Sequence, residues 1–282
     1  DGDVEAYANL KVDNQLLQTI RPLFDIVVDA TGASEEIVPD IPGAEFGVKA
    51  SELYYAYNRS LFPTRKNAWP LNKQGRTGEI VILGGGNVGV DLVRLLLSPS
   101  EHFDGESIHP DYCEVRDRYA PKTVRLCIRR HSYDHKQDEE ELKELQENGI
   151  FLSADYDESV DFKQLSESEK KSFEFIQSLS SSNECPPDTP HCILYFGSEI
   201  QEIKPVNNGV SIKINKRGKE VGVLANDVIF AVGRKPSKEH LGDISVGWKA
   251  GDGGTLKIVD EGINNDFSRL VLDIEKGDFN NR

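Results

Sequence analysis

Apolar residues in this chain gather in short runs between long polar stretches, and the form of each run sets the element it predicts. Ile80 to Leu83 is an unbroken apolar run, the pattern of a strand buried on both faces. It leads into Gly84-Gly85-Gly86-Asn87-Val88-Gly89, after which Val88, Leu92, Leu95 and Leu96 fall at helical spacing up to a stop at Ser98-Pro99. Strand, glycine turn and helix therefore succeed one another from Glu79 to Leu97. Two more buried strands, Phe24 to Ala30 closing on Thr31-Gly32 and Asp227 to Val232 closing on Gly233-Arg234, share one form. Each has an aspartate at or next to its start, carries β-branched residues and finishes Ala-x-Gly. Such a pair flanking a nucleotide-type unit suggests a chain that leaves one domain, builds a second and returns to the first.

Between these runs the periodicity predicts helices over Asn14 to Ile20, Val48 to Asn58 and Asp138 to Asn148, the last with a narrow stripe of Leu142 and Leu145. Phe62 to Arg76 reads as a connecting loop. A polar excursion from Glu101 to Pro121 delays the next strand, Val124 to Ile128, which ends on Arg129-Arg130. Ser159 to Asn183 is Ser-rich and weakly helical, and Cys185 to His191 is a proline-punctuated loop. Cys192–Gly197, Glu199–Ile203 and Val210–Val223 alternate like antiparallel strands, with Lys216-Arg217-Gly218-Lys219 as a hairpin turn.

The glycine turn carries the first candidate chemistry. In the G-x-G-x-x-G pattern one glycine allows the sharp turn, the next lets backbone approach a pyrophosphate, and the last lets helix and strand pack closely. A pattern placed between a strand and a helix points to dinucleotide binding; a merely tight turn is the alternative. Arg129 and Arg130 end the second strand of that unit, where an acidic residue would accept hydrogen bonds from the adenosine ribose of NAD and arginine suits the 2′-phosphate of NADP. The other reading is a pair of solvated loop charges.

Composition narrows the classes. At 282 residues, 38% hydrophobic and 29% charged, the chain has the make-up of one large or two ordinary globular domains. Its net charge of −15 argues against nonspecific nucleic-acid binding. Cys113, Cys127, Cys185 and Cys192 form no C-x-x-C pair, and Cys185 and Cys192 with His191 read as free thiols on a loop rather than a metal clip. No apolar run is long enough to span a membrane. The sequence opens on Asp1 and contains no methionine, which suggests a fragment or dropped residues.

Taken together these segments resemble the adrenodoxin reductase (ferredoxin–NADP reductase) family of flavoproteins. The likeness lies in the strand ending at Gly32, Ile41-Pro42-Gly43, the GGGNVGVD turn, Leu95 to His102 (LLLSPSEH), Arg129-Arg130 and Glu141-Leu142. It implies an α/β protein of two Rossmann-like dinucleotide-binding domains, with a discontinuous FAD domain (1–47 and 233–282) around an NADP domain (48–232). Gly85, Gly86, Asn87 and Val88 would hold the NADP pyrophosphate, Arg129 and Arg130 its 2′-phosphate, and Glu141 would lie near its nicotinamide ribose side, with Gly254 also binding NADP. Asp91, with Glu141, would belong to a polar network near the flavin. The segment Gly247 to Leu256 is similar to the family's G-W-x-K-x-G-P-x-G-x-I flavin stretch, although it is one residue short after Trp248 and has Asp252-Gly253 in place of Pro-x. Val4, Thr31, Gly32, Trp248, Gly254, Thr255 and Leu256 would then face FAD. The family's own FAD glycine turn has no counterpart in this sequence, so the FAD domain reads as incomplete.

The function so implied is electron transfer from NADPH through FAD to a ferredoxin- or adrenodoxin-type iron–sulfur protein. It would take place in the mitochondrial matrix of a eukaryote or the cytoplasm of a bacterium. No side chain is required as acid or base. The alternatives are a flavin-free NADP-binding sensor or assembly module and a glutamate-synthase small-subunit-like electron-transfer protein. An acidic iron–sulfur partner needs local basic surface, for which Arg116, Arg118, Lys122 and Arg125, then Lys213 to Lys219, are the densest stretches.

Overall fold

A computed structural model describes residues 12–23, 35–58, 70–71, 78–103, 108, 110–119, 121–135, 137, 139–156, 160–180, 185–235, 247–250 and 256–259. In chain order its principal elements are α1 (Asn14–Ile20), β1 (Glu35–Glu36), β2 (Val48–Lys49), α2 (Ala50–Tyr57), β3 (Glu79–Leu83), α3 (Asn87–Leu97), α4 (Pro110–Tyr119), β4 (Thr123–Ile128), α5 (Glu139–Glu147), β5 (Phe151–Asp155), α6 (Glu167–Ser180), β6 (His191–Phe196), β7 (Ser198–Val206), β8 (Gly209–Lys216), β9 (Lys219–Ala225), β10 (Asp227–Phe230), β11 (Arg234–Lys235), β12 (Gly247–Ala250) and β13 (Leu256–Val259). The chain divides into two compact units, one of residues 35–235 and one of residues 1–34 with 236–282.

The larger unit is built on a six-stranded sheet in the order β2-β10-β3-β4-β6-β5, with every neighbouring pair parallel. β3 lies between β10 and β4, so the glycine turn leaves the sheet where strands on its two sides are reached by opposite routes. Carboxyl ends of strands at such a reversal form the crevice in which open α/β proteins bind ligands. Helices cover one face. Leu92, Val93 and Leu96 of α3, Leu142 and Leu145 of α5 and Ile176 of α6 are buried against Ile80, Ile82, Leu126 and Leu194 in one apolar cluster. The three-stranded antiparallel sheet β7-β8-β9 covers the other face, where Ile200, Ile203, Ile212 and Ile214 pack with Val81, Cys127 and Val228. Central strands buried on both faces explain the unbroken apolar runs of β3 and β10.

Several elements depart from what their sequence suggests. The helix expected from Val48 begins at Ala50, because Val48 and Lys49 pair with Ile229 and Phe230 at the sheet edge. The run at Cys192–Gly197 is expected to be antiparallel. It is β6, parallel, and sits between β4 and β5, which only a long-range pairing decides. β5 carries no pattern that marks it, since its short, mixed FLSAD sequence is a sheet edge. The polar excursion contains α4, which folds around buried Tyr112 and Arg116 rather than an apolar stripe. The hairpin turn is where the sequence suggests, with Arg217 and Gly218 both at positive φ (52° and 81°). The strand expected at Phe24 to Ala30 and the loop at Phe62 to Arg76 include or lie within residues outside those described.

In the smaller unit the described elements are α1, a following single turn, and the antiparallel pair β12–β13, in which Trp248 lies opposite Ile258 and Ala250 opposite Leu256.

Candidate dinucleotide site at the glycine turn

The turn is shaped by two steric demands. Gly84 has φ +118°, and a Cβ there would lie 2.3 Å from the carbonyl oxygen of Ala231. A Cβ on Gly89 would lie 2.1 Å from the carbonyl oxygen of Gly84, so α3 can start this close to β3 only with glycine at that place. Gly86 differs from both. A Cβ built on it meets nothing within 4 Å, which leaves its backbone facing open space. Gly86 caps α3 with no side-chain hydrogen bond, while its carbonyl accepts from Gly89 N–H at 2.8 Å and Val90 N–H at 3.2 Å. An α-helix whose first turn has no side-chain cap presents backbone donors and the positive end of its dipole to an incoming anion.

That open space is a cavity of about 770 Å³ at the carboxyl ends of β3, β4 and β10. Gly84 to Val88 form one wall, Cys127 to Arg130 a second, and Ala231 to Gly233 a third, with Ile37, Asp40, Ile41, Gln137 and Ser198 to Ile200 completing it. The backbone ties these segments together: Gly84 N–H donates to Cys127 O at 3.1 Å, Ala231 N–H to Leu83 O at 2.8 Å, and Ile37 N–H to Gly233 O at 3.0 Å. All four residues expected to hold a pyrophosphate, Gly85, Gly86, Asn87 and Val88, thus share the cavity with Arg129 and Arg130.

The two arginines are not equivalent. Both are exposed, but Arg130 is held by both carboxylate oxygens of Asp134, at 3.0 and 2.8 Å, whereas Arg129 has no ion pair with any described residue. Beneath them Cys127 is fully buried, and burial pushes its thiol up to about 12, so it stays protonated and unreactive at neutral pH. The buried Ser198 hydroxyl donates to Tyr195 O at 2.6 Å.

Other expected site residues lie elsewhere. Asp91 is on α3, 41% exposed, and forms an ion pair with Arg94 at 2.8 Å, which in turn reaches Glu144 of α5 at 3.2 Å. Glu141 is in the first turn of α5, partly buried. Trp248 and Leu256 are in β12 and β13 of the smaller unit, and Val4, Thr31, Gly32, Gly254 and Thr255 lie outside the described residues. The cavity also uses residues that no motif marks. Gln137 stands alone just before the acidic helix, and Ser198 merely opens a strand of mixed character. Their place becomes visible only once β4, β6 and the turn are assembled.

The residues suggested as a basic docking surface mostly turn inward or are neutralised. Arg116 is 2% exposed, donates to Ser98 O and to Ser100 Oγ, and pairs with Asp117. Arg125 is clamped by both oxygens of Glu79, Lys122 by Asp188, and Arg118 by Glu114. In the second stretch Lys213 pairs with Glu220 and Lys216 with Asp155. Among the described residues no cluster of metal-ligating side chains occurs, and no helix is long and apolar enough to cross a membrane.

A parallel sheet with a glycine turn opening on a cavity at its point of reversal defines a Rossmann-type dinucleotide fold. Its solved likenesses agree. FprA of Mycobacterium tuberculosis in complex with NADPH superposes with a TM-score of 0.65 at 20% identity, covering 84% of this chain and 55% of that one, a likeness of fold. In sequence, parts of the chain are similar to adrenodoxin reductases. The chain is 30% identical over 126 residues to the mitochondrial NADPH:adrenodoxin oxidoreductase of Bos taurus (44% of this chain, 25% of that protein). It is 23% identical over 248 residues to cindoxin reductase of Citrobacter braakii (85% of this chain, 52% of that protein). The chain thus spans about half the length of the longest-matching relatives, and no protein-family model matches it.

Proposed function

We propose that the intact protein is an NADPH-dependent flavoprotein reductase that delivers electrons to a ferredoxin- or adrenodoxin-type iron–sulfur protein, and that the glycine-turn cavity is its NADP site. The observation that carries the reading is the open face of Gly86 at the uncapped start of α3, in the same cavity as Arg129, which has no ion pair among the described residues. Here the donors of the turn would meet the pyrophosphate and Arg129 the 2′-phosphate, with Arg130 contributing less because Asp134 already holds it. The apolar walls of buried Ile128 and Ile200 and half-buried Leu83 would exclude water from the nucleotide, and no side chain here is asked to move a proton.

FAD enters this reading through the likeness to the adrenodoxin reductases and the segment from Gly247 to Leu256. In that segment Gly247 to Ala250 and Leu256 belong to an antiparallel pair of strands. When bound, flavin supplies the conversion between a two-electron hydride donor and one-electron acceptors. The compartment follows the source, the matrix for a mitochondrial relative and the cytoplasm for a bacterial one.

The test is the colour and redox response of the purified full-length protein. A yellow protein whose flavin absorption is bleached by NADPH and only slowly by NADH supports the proposal. A colourless protein that still binds NADPH overturns the reductase and leaves a nucleotide-binding module.

A further inference from the structure

We propose that Gln137 reads the adenosine ribose in the glycine-turn cavity, its amide oxygen accepting a hydrogen bond from the ribose 3′-hydroxyl, an assignment that rests on the NADP reading of that cavity. Gln137 is 6% exposed and lines the cavity. Its Nε2 donates to the carbonyl oxygen of Gly85, and that bond fixes which way the amide faces. The atom left over is Oε1, buried and without a hydrogen-bond partner among the described residues. Buried acceptors are almost always satisfied, so a ligand that brings a donor gains by supplying it.

The chemistry of the atom selects the part of the ligand. Ionised phosphate oxygens carry no donor and would be repelled by a carbonyl oxygen, whereas a sugar hydroxyl donates readily. Position selects which sugar. A Cβ on Gly85 would lie 2.6 Å from both Gln137 Nε2 and Ile128 Cγ1, so the amide sits at the end of β4, the strand that continues into Arg129-Arg130. The adenosine ribose lies over the end of this strand in dinucleotide folds. With the 2′-oxygen phosphorylated, the 3′-hydroxyl is the remaining ring donor. A carboxylate in this place would accept the same bond but repel the 2′-phosphate. The neutral amide accepts without that repulsion and so fits a 2′-phosphorylated ligand.

The experiment is calorimetric titration of the full chain with adenosine 2′,5′-bisphosphate and with its 3′-deoxy analogue, in wild type and Gln137→Met. Wild type should bind the parent about tenfold more tightly than the deoxy analogue, the worth of one hydrogen bond. Gln137→Met should bind the two alike, a result that a general loosening of the turn would not produce. Equal binding of both ligands by wild type, or an undiminished preference in the variant, overturns the assignment. If Gln137→Met does not fold, Gln137→Leu takes its place with the same expected and overturning results. A wild-type chain that binds neither bisphosphate overturns the NADP reading itself, so the two failures are distinguishable.

Discussion

Asp134 grips the Arg130 guanidinium with both carboxylate oxygens, at 3.0 and 2.8 Å, and so withdraws one of two adjacent cations from the cavity mouth. Arg129, one residue earlier, has no such partner among the described residues. Their difference gives an ordered prediction. Arg129→Ala should weaken binding of NADP⁺ or adenosine 2′,5′-bisphosphate by about 10- to 100-fold, as expected for loss of a charge-assisted bond to phosphate, and barely alter that of NAD⁺. Arg130→Ala should cost several-fold less, and Asp134→Ala should tighten binding by releasing Arg130. Calorimetry on the three variants checks the order. Equal losses for the two arginines would show that the Asp134 pairing does not persist in the complex.

Arg116 belongs to the densest basic stretch in the chain, yet it spans the base of the SPSEH segment instead of meeting solvent. It satisfies Ser98 O, just beyond the last turn of α3, and its guanidinium stacks 5.3 Å from the centre of the Phe103 ring. Arg116→Met should therefore destabilise the protein by about 2–4 kcal/mol in urea unfolding, because buried acceptors and Asp117 lose their partner. The same variant should leave unchanged the salt dependence of electron delivery to an iron–sulfur protein. A milder loss of stability combined with an altered salt response would return Arg116 to the docking surface.

Which features could be read beforehand follows from the range of the interactions that make them. β3, the glycine turn and α3 are local, since the apolar run, the sterics of Gly84 and Gly89 and the helical spacing lie within twenty residues, and they come out as the sequence suggests. The β8–β9 hairpin is likewise local. β6 is different. Its alternation suits a meander, and its parallel place between β4 and β5 depends on partners far along the chain. Ion pairing hides in sequence as well, because Arg125 and Glu79 are separated by 46 residues and the pair is made only when β3 and β4 align. For the same reason the cavity's glycines and arginines are visible as a motif, while Gln137, held by Gly85 from 52 residues away, is not.

Acid should loosen the larger unit through two half-buried imidazoles, His135 and His191. Burial holds His135 below its ordinary value, against the opposing pull of Glu139, and burial does the same to His191, whose Nε2 lies 2.7 Å from Ser153 Oγ. In the unfolded chain both take up protons near pH 6.5, whereas in the folded chain they resist until a lower pH. Their contribution to stability is thus complete above about pH 6.5 and lost as pH falls through that value towards the depressed folded ones. The urea midpoint should drop between pH 7.5 and 5.5, and His135→Gln with His191→Gln should flatten that drop. An undiminished slope in the double variant would assign the acid sensitivity to other groups.

Gly86 and Gly89 separate binding from folding within one turn. Gly89→Ala drives a methyl group to within 2.1 Å of Gly84 O, so α3 must move off β3, at a cost of about 1–3 kcal/mol or more. Thermal unfolding should register it even without ligand. Gly86→Ala has room for its methyl and an extended backbone (φ −81°, ψ 179°) that alanine adopts, so unfolding should shift by less than about 1 kcal/mol. The methyl would, however, project into the space left for the phosphates, and affinity for NADP⁺ should fall by at least about tenfold. A Gly86→Ala protein that binds NADP⁺ normally would mean that the pyrophosphate does not lie against this backbone, and the dinucleotide would have to enter from the side of Ala231 to Gly233 instead.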